Sequence, residues 1–215
     1  MKLPTTLDLK PRKTPRQARS ELTVDVIFQA AIQVLLAGGP YKLTTTRVAE
    51  RAGVSVGTLY QYFPHKQALL YAVLQRHLNG IAAAVEAACK AHQGDSVSTM
   101  VDSLVAAYID AKAVHVPVSR ALYKVAAELE VGELRGEISK RIHRAIVNLL
   151  QNASNTKFDD APAVAFTMQA AMTGTARAVF ESGATPAMLN TLRSQLPLMC
   201  KGYVLSVAKP GGASR

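Results

Sequence analysis

Between residues 56 and 66 the chain concentrates side chains that suit contact with a nucleic acid. The amide of Gln61 can form two hydrogen bonds with adenine, and Thr58 offers a hydroxyl to phosphate and a methyl group to thymine. Lys66 supplies a positive charge for the phosphate backbone, and Gly57 allows close approach of the main chain. The candidate contacts in this stretch are Val56, Gly57, Thr58, Tyr60, Gln61, Tyr62 and Lys66.

A short helix just before this stretch would hold it against the DNA. Thr44 or Thr45 can cap that helix, and Val48, Ala49 and Ala52 form its inward side. Its first turn carries three further candidate contacts, at the point where such a helix meets the DNA backbone. These are Thr45, Thr46 and Arg47.

A second short helix would present the stretch itself. Gly53 suits a sharp turn between helices because glycine adopts a positive φ without steric cost. Ser55 can cap the helix that follows, which buries Leu59 and Phe63 and leaves the polar residues outside. The pattern therefore predicts a helix-turn-helix over about residues 45–63, with an outward face that could enter a major groove.

The rest of the chain reads as helices, with no alternating strand pattern. A single apolar stripe predicts a first helix that ends at Gly38-Gly39-Pro40, and its members are Val24, Ile27, Phe28, Ala31, Ile32 and Leu35. A longer helix begins near Pro64. More helices follow beyond residue 85, and the segment 160–181 is rich in small residues that let another helix approach closely.

The positive charge lies mainly in the first third of the chain. Residues 1–80 hold eleven Lys or Arg and four Asp or Glu, whereas residues 81–215 hold fourteen and eleven. This asymmetry suits a polyanionic partner, although a solvated basic tail would give the same count. Residues 1–18 contain three prolines among basic residues and are predicted to be a flexible arm, and residues 209–215 a flexible tail.

The motif over residues 44–66 reads Thr44-Thr-Thr-Arg-Val-Ala-Glu-Arg-Ala-Gly-Val-Ser-Val-Gly-Thr-Leu-Tyr-Gln-Tyr-Phe-Pro-His-Lys66, and Leu69-Leu70 follow it. In this motif the chain resembles the TetR family of one-component regulators. The resemblance covers about residues 19–75. It implies that the ten candidate contacts are the DNA-contacting set. Val56 stands where similar proteins often carry a polar or basic residue, so it would make either no base contact or an apolar one with a thymine methyl group.

The same resemblance implies an all-α fold with two domains. Residues 19–66 would form an N-terminal three-helix helix-turn-helix DNA-binding domain. Residues 67–208 would form a larger C-terminal helical domain for ligand binding and dimerisation. The predicted function is a ligand-responsive transcriptional regulator, a repressor that binds a pseudo-palindromic double-stranded DNA operator as a homodimer and is released by a small-molecule effector.

An effector pocket would lie between the helices of the C-terminal domain. Its candidate residues are Tyr108, His115, Tyr123, Phe166, Met168 and Met172, each of which could instead be an ordinary core residue. Arg120 and Lys124 would favour an acidic effector if they are not simply solvated. By resemblance, and by their apolar content, the last two helices are the candidate dimer interface.

Three other classes of protein compete with this interpretation. Gly53-Val-Ser-Val-Gly57 matches the hydrolase motif GxSxG, but that motif needs a preceding strand, and an amphipathic helix precedes it here. Cys89, His92 and Asp95 could share a metal ion, yet no second ligand pair has zinc spacing. A helical adaptor that does not bind DNA is the third alternative. We therefore predict a non-enzyme without metal or other cofactor.

The expected location is the cytoplasm. Two widely separated cysteines suggest a reducing compartment, and no uninterrupted apolar run of membrane-spanning length occurs. The basic N-terminus lacks the apolar core and cleavage site of a secretory signal.

Overall fold

The computed structural model describes residues 18–211 and is all-α in that part except for two very short strands. The predicted all-α fold is confirmed, whereas the predicted basic arm lies almost entirely outside the described residues. The helices are α1 (Ala18–Lys42), α2 (Thr45–Ala52), α3 (Val56–Tyr62), α4 (Lys66–Ala91), α5 (Val97–Ala113), α6 (Val116–Glu128), α7 (Gly132–Gln151), α8 (Ala161–Glu181) and α9 (Pro186–Ser206).

The chain divides into two compact units. The first, unit 1, comprises the described residues up to His77 together with Ala121–Val131, and the second, unit 2, comprises Leu78–Arg120 and Gly132 onwards. Both α4 and α6 therefore contribute residues to each unit. The predicted boundary at residue 66 falls at the first residue of α4.

The core of unit 1 is built from the apolar faces of α1–α4. Ile27, Leu43, Val48, Leu59 and Leu69 are completely buried. The ring of Phe63 is buried against that of Phe28, with their centroids 5.6 Å apart.

By length and composition alone, the helix Ser20–Lys42 could cross a membrane. Core helices of water-soluble proteins also meet this test.

The helical path of α1 breaks where the sequence predicted its end. Gly39 adopts φ 72° and ψ 178°, a non-helical conformation with the positive φ that glycine tolerates best. Pro40 follows directly and can offer no amide hydrogen to continue the helical ladder. The chain consequently changes direction before α2.

Unit 2 is a layered helical core in which α5 packs on α9, α9 on α8 and α8 on α7. The buried line of α9 is Leu192, Leu196, Cys200 and Val204, spaced four residues apart. A bidentate ion pair joins Arg141 of α7 to Glu86 of α4, and the same guanidinium donates to Asn79 at 2.5 Å. Hydrogen bonding from Arg141 lowers the pKa of Glu86.

Two short strands correct the sequence-based prediction. Lys209–Pro210 (β2) pairs antiparallel with Thr156–Lys157 (β1), so the tail predicted from residue 209 is ordered at its start. The Gly211 amide also donates to the carbonyl of Asn155 at 3.0 Å. Two-residue strands are too short to produce a detectable alternation, and their pairing joins distant parts of the chain.

Candidate DNA-binding surface

The first of the two short helices, α2, begins with a side-chain cap. Thr44 takes the cap position, and its hydroxyl accepts a hydrogen bond from the Arg47 amide at 3.3 Å. Of the three predicted inward residues, Val48 and Ala49 are completely buried and Ala52 is half-buried. The Arg47 side chain is exposed and donates to the Lys42 carbonyl at 3.0 Å, which holds the guanidinium beside the start of α2.

The turn between α2 and α3 has the predicted geometry. Gly53 adopts φ 66° and ψ 28°, the left-handed conformation that ends many helices, and its amide donates to carbonyls of α2. Ser55 caps α3, its hydroxyl accepting from the Thr58 amide at 2.9 Å. The GxSxG match is thus a helix-to-helix turn whose serine serves as a cap, which excludes the nucleophile elbow.

One hydrogen bond joins the two short helices at their exposed ends. The Tyr60 hydroxyl lies 3.1 Å from the Thr45 hydroxyl, although 42% of Tyr60 remains exposed. Tyr60 on α3 and the first turn of α2 therefore form one surface. The sequence placed both residues in the contact set but could not show that they touch.

Two of the predicted phosphate contacts have partners inside the protein. The Tyr62 hydroxyl lies 2.9 Å from the Ser20 hydroxyl of α1, and the Lys66 ammonium donates to the Pro40 carbonyl at 3.1 Å. These bonds fix the two polar groups at the edges of the surface. A lysine retains two further N–H donors after one such bond.

The open part of α3 is centred on Gln61. Its side chain is exposed, and within residues 18–211 its amide forms no hydrogen bond. Gly57 and Thr46 are also exposed, whereas Val56 and Thr58 are half-buried. The Thr58 hydroxyl lies 2.8 Å from the Ser55 hydroxyl, so it already has a partner in the cap.

Sequence reasoning missed a basic cleft beside α2, which we call the α1–α2 cleft. It has a volume of about 230 Å³, and its lining residues are Gln33, Val34, Ala37, Gly38, Lys42, Arg47 and Arg51. Arg51 is held there by a hydrogen bond from its Nε to the Gln33 amide oxygen at 2.6 Å. The i, i+4 spacing of Arg47 and Arg51 on α2 was the signal in the sequence.

The predicted effector residues differ in burial and in the unit to which they belong. Tyr108, Met168 and Met172 are buried in unit 2. His115 is exposed, and Phe166 is 67% exposed on α8. Tyr123 is half-buried and belongs to unit 1.

A buried lysine in unit 2 was also missed. Lys112 is 6% exposed, and its ammonium lies 5.2 Å from the ring centroid of Tyr108 and 5.9 Å from that of Phe180. Burial lowers the pKa of Lys112 to about 8. Lys112 follows Tyr108 by four residues and Ile109 by three, so it continues the buried stripe of α5, and this spacing was the signal in the sequence.

The two cysteines lie in the core, and the nearby His92 and Asp95 pair with each other. Cys89 and Cys200 are buried, and burial raises the pKa of their thiols to about 12 and about 11 respectively. His92 Nδ1 lies 2.8 Å from the carboxylate of Asp95. Across the described part of the chain, no group of three metal-binding side chains is assembled.

Comparison with known proteins adds family evidence to this geometry. Residues 27–73 match the model of bacterial regulatory proteins of the tetR family, and residues 96–203 match that of the tetracyclin repressor-like C-terminal domain. The chain is 42% identical over 65 residues to the HTH-type transcriptional repressor KstR of Mycolicibacterium smegmatis. It is 35% identical over 79 residues to the HTH-type transcriptional activator FasR of the same species.

These matches to curated relatives are partial. They cover 30% of this chain and 32% of KstR, and 37% of this chain and 36% of FasR, so the chain spans about a third of each relative's length. A crystal structure of a TetR-family regulator from Mesorhizobium loti covers 88% of this chain and 98% of its own, with a TM-score of 0.71 at 16% identity. That likeness extends the shared fold over both units.

Proposed function

The chain belongs to the TetR family of bacterial regulatory proteins, and from this membership we propose that it is a repressor that binds a pseudo-palindromic operator as a homodimer and is released by a small-molecule effector. Proteins of this family are DNA-binding transcriptional regulators and not enzymes. Relatives named as repressor and as activator both match the chain, so the direction of regulation is part of the proposal.

The observation that carries the proposal is the exposed amide of Gln61 on a helix fixed at both ends. Ser55 caps the start of α3, and the Tyr60–Thr45 and Tyr62–Ser20 hydrogen bonds anchor its aromatic residues. A helix held this way loses little backbone conformational entropy when it enters a major groove, and Gln61 can then read base edges. In this proposal Thr46, Arg47 and Lys66 contact phosphates around it.

The proposed dimer uses the outward faces of α8 and α9. Both carry large apolar side chains that one protomer leaves in water: Phe166 is 67% exposed, Leu198 61%, Leu205 47% and Met199 46%. Exposed small residues of α8, such as Ala170 and Gly174, would let a second helix pack closely. A symmetric contact of this kind would place two copies of α3 on two half-sites.

The proposed effector binds among the helices of unit 2. Its apolar lining would come from Tyr108, Met168 and Met172, which are buried there. Binding would bias the dimer between two arrangements that differ in operator affinity, with a coupling of about 1–3 kcal/mol that is typical of such systems. We propose the cytoplasm as its location because the operator DNA is there.

A footprint tests the function directly. Purified protein is expected to protect two half-sites in the DNA flanking its own gene, about one helical turn or a multiple of it apart. Affinity for that duplex is expected to fall linearly on a log–log plot against salt concentration. A helical adaptor would show neither protection nor a salt slope. If every small molecule found to bind the protein left operator affinity unchanged, the proposed release by an effector would be wrong.

A further inference from the structure

The α1–α2 cleft collects positive charge without any acidic side chain to balance it. Lys42, Arg47 and Arg51 line it, and its other lining residues are uncharged. Within residues 18–211, none of these three cations belongs to an ion pair. Elsewhere in unit 1, by contrast, Arg76 is paired with Asp25.

The hydrogen-bond partners in the cleft are neutral. Arg51 donates through Nε to the amide oxygen of Gln33, and Arg47 donates through Nη1 to the carbonyl of Lys42. A neutral acceptor orients a guanidinium but leaves its positive charge uncompensated. Each guanidinium has five N–H donors, so several remain to receive an anion in a bidentate geometry.

The cleft adjoins the surface proposed to bind DNA. Arg47 lines the cleft and stands two residues after Thr45, which is hydrogen-bonded to Tyr60 of α3. When the second helix of a helix-turn-helix enters the major groove, the first helix crosses the phosphate backbone. Cations on the side of α2 would then face the phosphates of the DNA strand that borders the major groove.

We propose that the α1–α2 cleft binds a phosphate of the DNA backbone, with Lys42 and Arg51 as additional contacts and Gln33 as the positioning residue that aims Arg51. This inference rests on the proposed function, because it takes α3 to hold the duplex. It extends the interface from the helix-turn-helix onto α1. A purely structural role, in which these cations only cap the carbonyl end of α1, is the alternative that the experiment must separate.

The decisive variant is Gln33→Glu, which removes no cation and keeps nearly the same side-chain shape. It places a carboxylate at the Arg51 guanidinium, so the cleft is partly neutralised while Arg51 stays in place. If the cleft binds phosphate, the affinity for DNA falls and the plot of log affinity against log salt becomes shallower by about 0.9 for each phosphate that the cleft no longer neutralises. If the cations only support the fold, the new ion pair preserves their role and DNA binding is unchanged.

The measurement is fluorescence anisotropy over a salt series, on the footprinted duplex and on a scrambled duplex of equal length. Arg51→Gln and Lys42→Gln are expected to weaken binding to both duplexes by similar factors, because phosphates carry no sequence information. Lys90→Gln, at an exposed lysine in the last turn of α4 within unit 2, is the matched control and should leave both slopes unchanged. The unfolding midpoint of Gln33→Glu should not fall below that of the wild type.

Wild-type affinity and slope in all three cleft variants would overturn the inference and leave the proposed function standing. An absence of salt-dependent duplex binding by the wild-type protein would overturn the proposed function and this inference with it.

Discussion

Several residues of the candidate surface have two roles, one inside the protein and one proposed toward DNA. Tyr62 and Lys66 each have a hydrogen-bond partner within α1, across 42 and 26 residues of sequence. Their residue types were readable from the sequence because polar and basic groups suit phosphate. Their partners were not, because such contacts depend on the packing of α1 against the two short helices.

Replacing Gln61 by Ala is expected to change base preference more than overall affinity. The exposed amide is the group best placed to form paired hydrogen bonds with a base, and losing such a pair removes about 1–3 kcal/mol of discrimination. Binding to a library of half-site variants measures this. Lys66→Ala is the contrast, since it should weaken all sequences alike and flatten the salt slope. If Gln61→Ala shows the same base preferences as the wild type across the half-site library, Gln61 does not read base edges.

Lys112→Met is expected to stabilise the protein at neutral pH. Burial lowers the pKa of Lys112 from 10.5 to about 8, so below pH 8 keeping the ammonium charged destabilises the folded state. Between pH 8 and 10.5 the folded state releases this proton before the unfolded state does, and stability rises with pH. The shift corresponds to at most about 3 kcal/mol. At pH 7 the free energy of unfolding of the methionine variant should exceed that of the wild type by up to this amount. The difference between the two proteins should then shrink progressively toward pH 10.5.

Urea denaturation of both proteins across this pH range gives the comparison. The buried thiols of Cys89 and Cys200 act in the opposite direction, because their raised pKa values make stability fall above about pH 9. They are common to both proteins, so the difference between wild type and variant isolates Lys112. A constant difference over the whole range would contradict the assigned cause.

At the level of elements, the sequence predicted best the features that are set by a few neighbouring residues. The caps at Thr44 and Ser55, the turn at Gly53 and the break at Gly39 all follow from local conformational preferences. The strand pair β1–β2 did not, since it joins residues more than fifty positions apart and each strand has two residues. The inward orientation of Lys112 is a different case, because its helical spacing from Tyr108 and Ile109 already places it on the apolar stripe of α5.

Gly53→Ala is expected to destabilise the protein by about 1 kcal/mol. A Cβ at this position would meet no atom within 4 Å, so the cost comes only from the left-handed backbone conformation, φ 66°. Gly57→Ala is the matched control. It lies inside α3, and its added Cβ would stand in ordinary contact at 3.7 Å, so it should stabilise the protein by a few tenths to 1 kcal/mol. Chemical denaturation measures both, and equal losses in the two variants would refute the distinction.

For the whole molecule, the sequence predicted an all-α chain, but it predicted neither α6, which begins just before Pro117, nor how the helices group. Residues 121–131 belong with the N-terminal helices, although they follow the first helices of unit 2 in the chain. Membership of a unit is decided by which surface each end of α6 buries.

The proposed dimer makes its own prediction at Leu198. This residue is 61% exposed in one protomer, so Leu198→Glu should leave the folded protomer intact while it disrupts an apolar interface. Sedimentation equilibrium is expected to show a monomer, with operator affinity reduced by several powers of ten because two half-sites no longer bind together. Leu22→Glu, at a 66% exposed leucine of α1, is the control. A dimer of unchanged strength in Leu198→Glu would exclude this interface.

The neutral partner of Arg51 also has an evolutionary consequence. Codons for glutamine and glutamate differ at one base, so a single point mutation at Gln33 would convert an uncompensated cation into an ion pair while leaving α3, the proposed base-reading helix, unaltered. If the cleft binds phosphate as proposed, such a change would lower binding to operator and to bulk chromosomal DNA together. A lineage could therefore adjust how many copies of the regulator are needed to occupy its sites, without altering which sites are recognised.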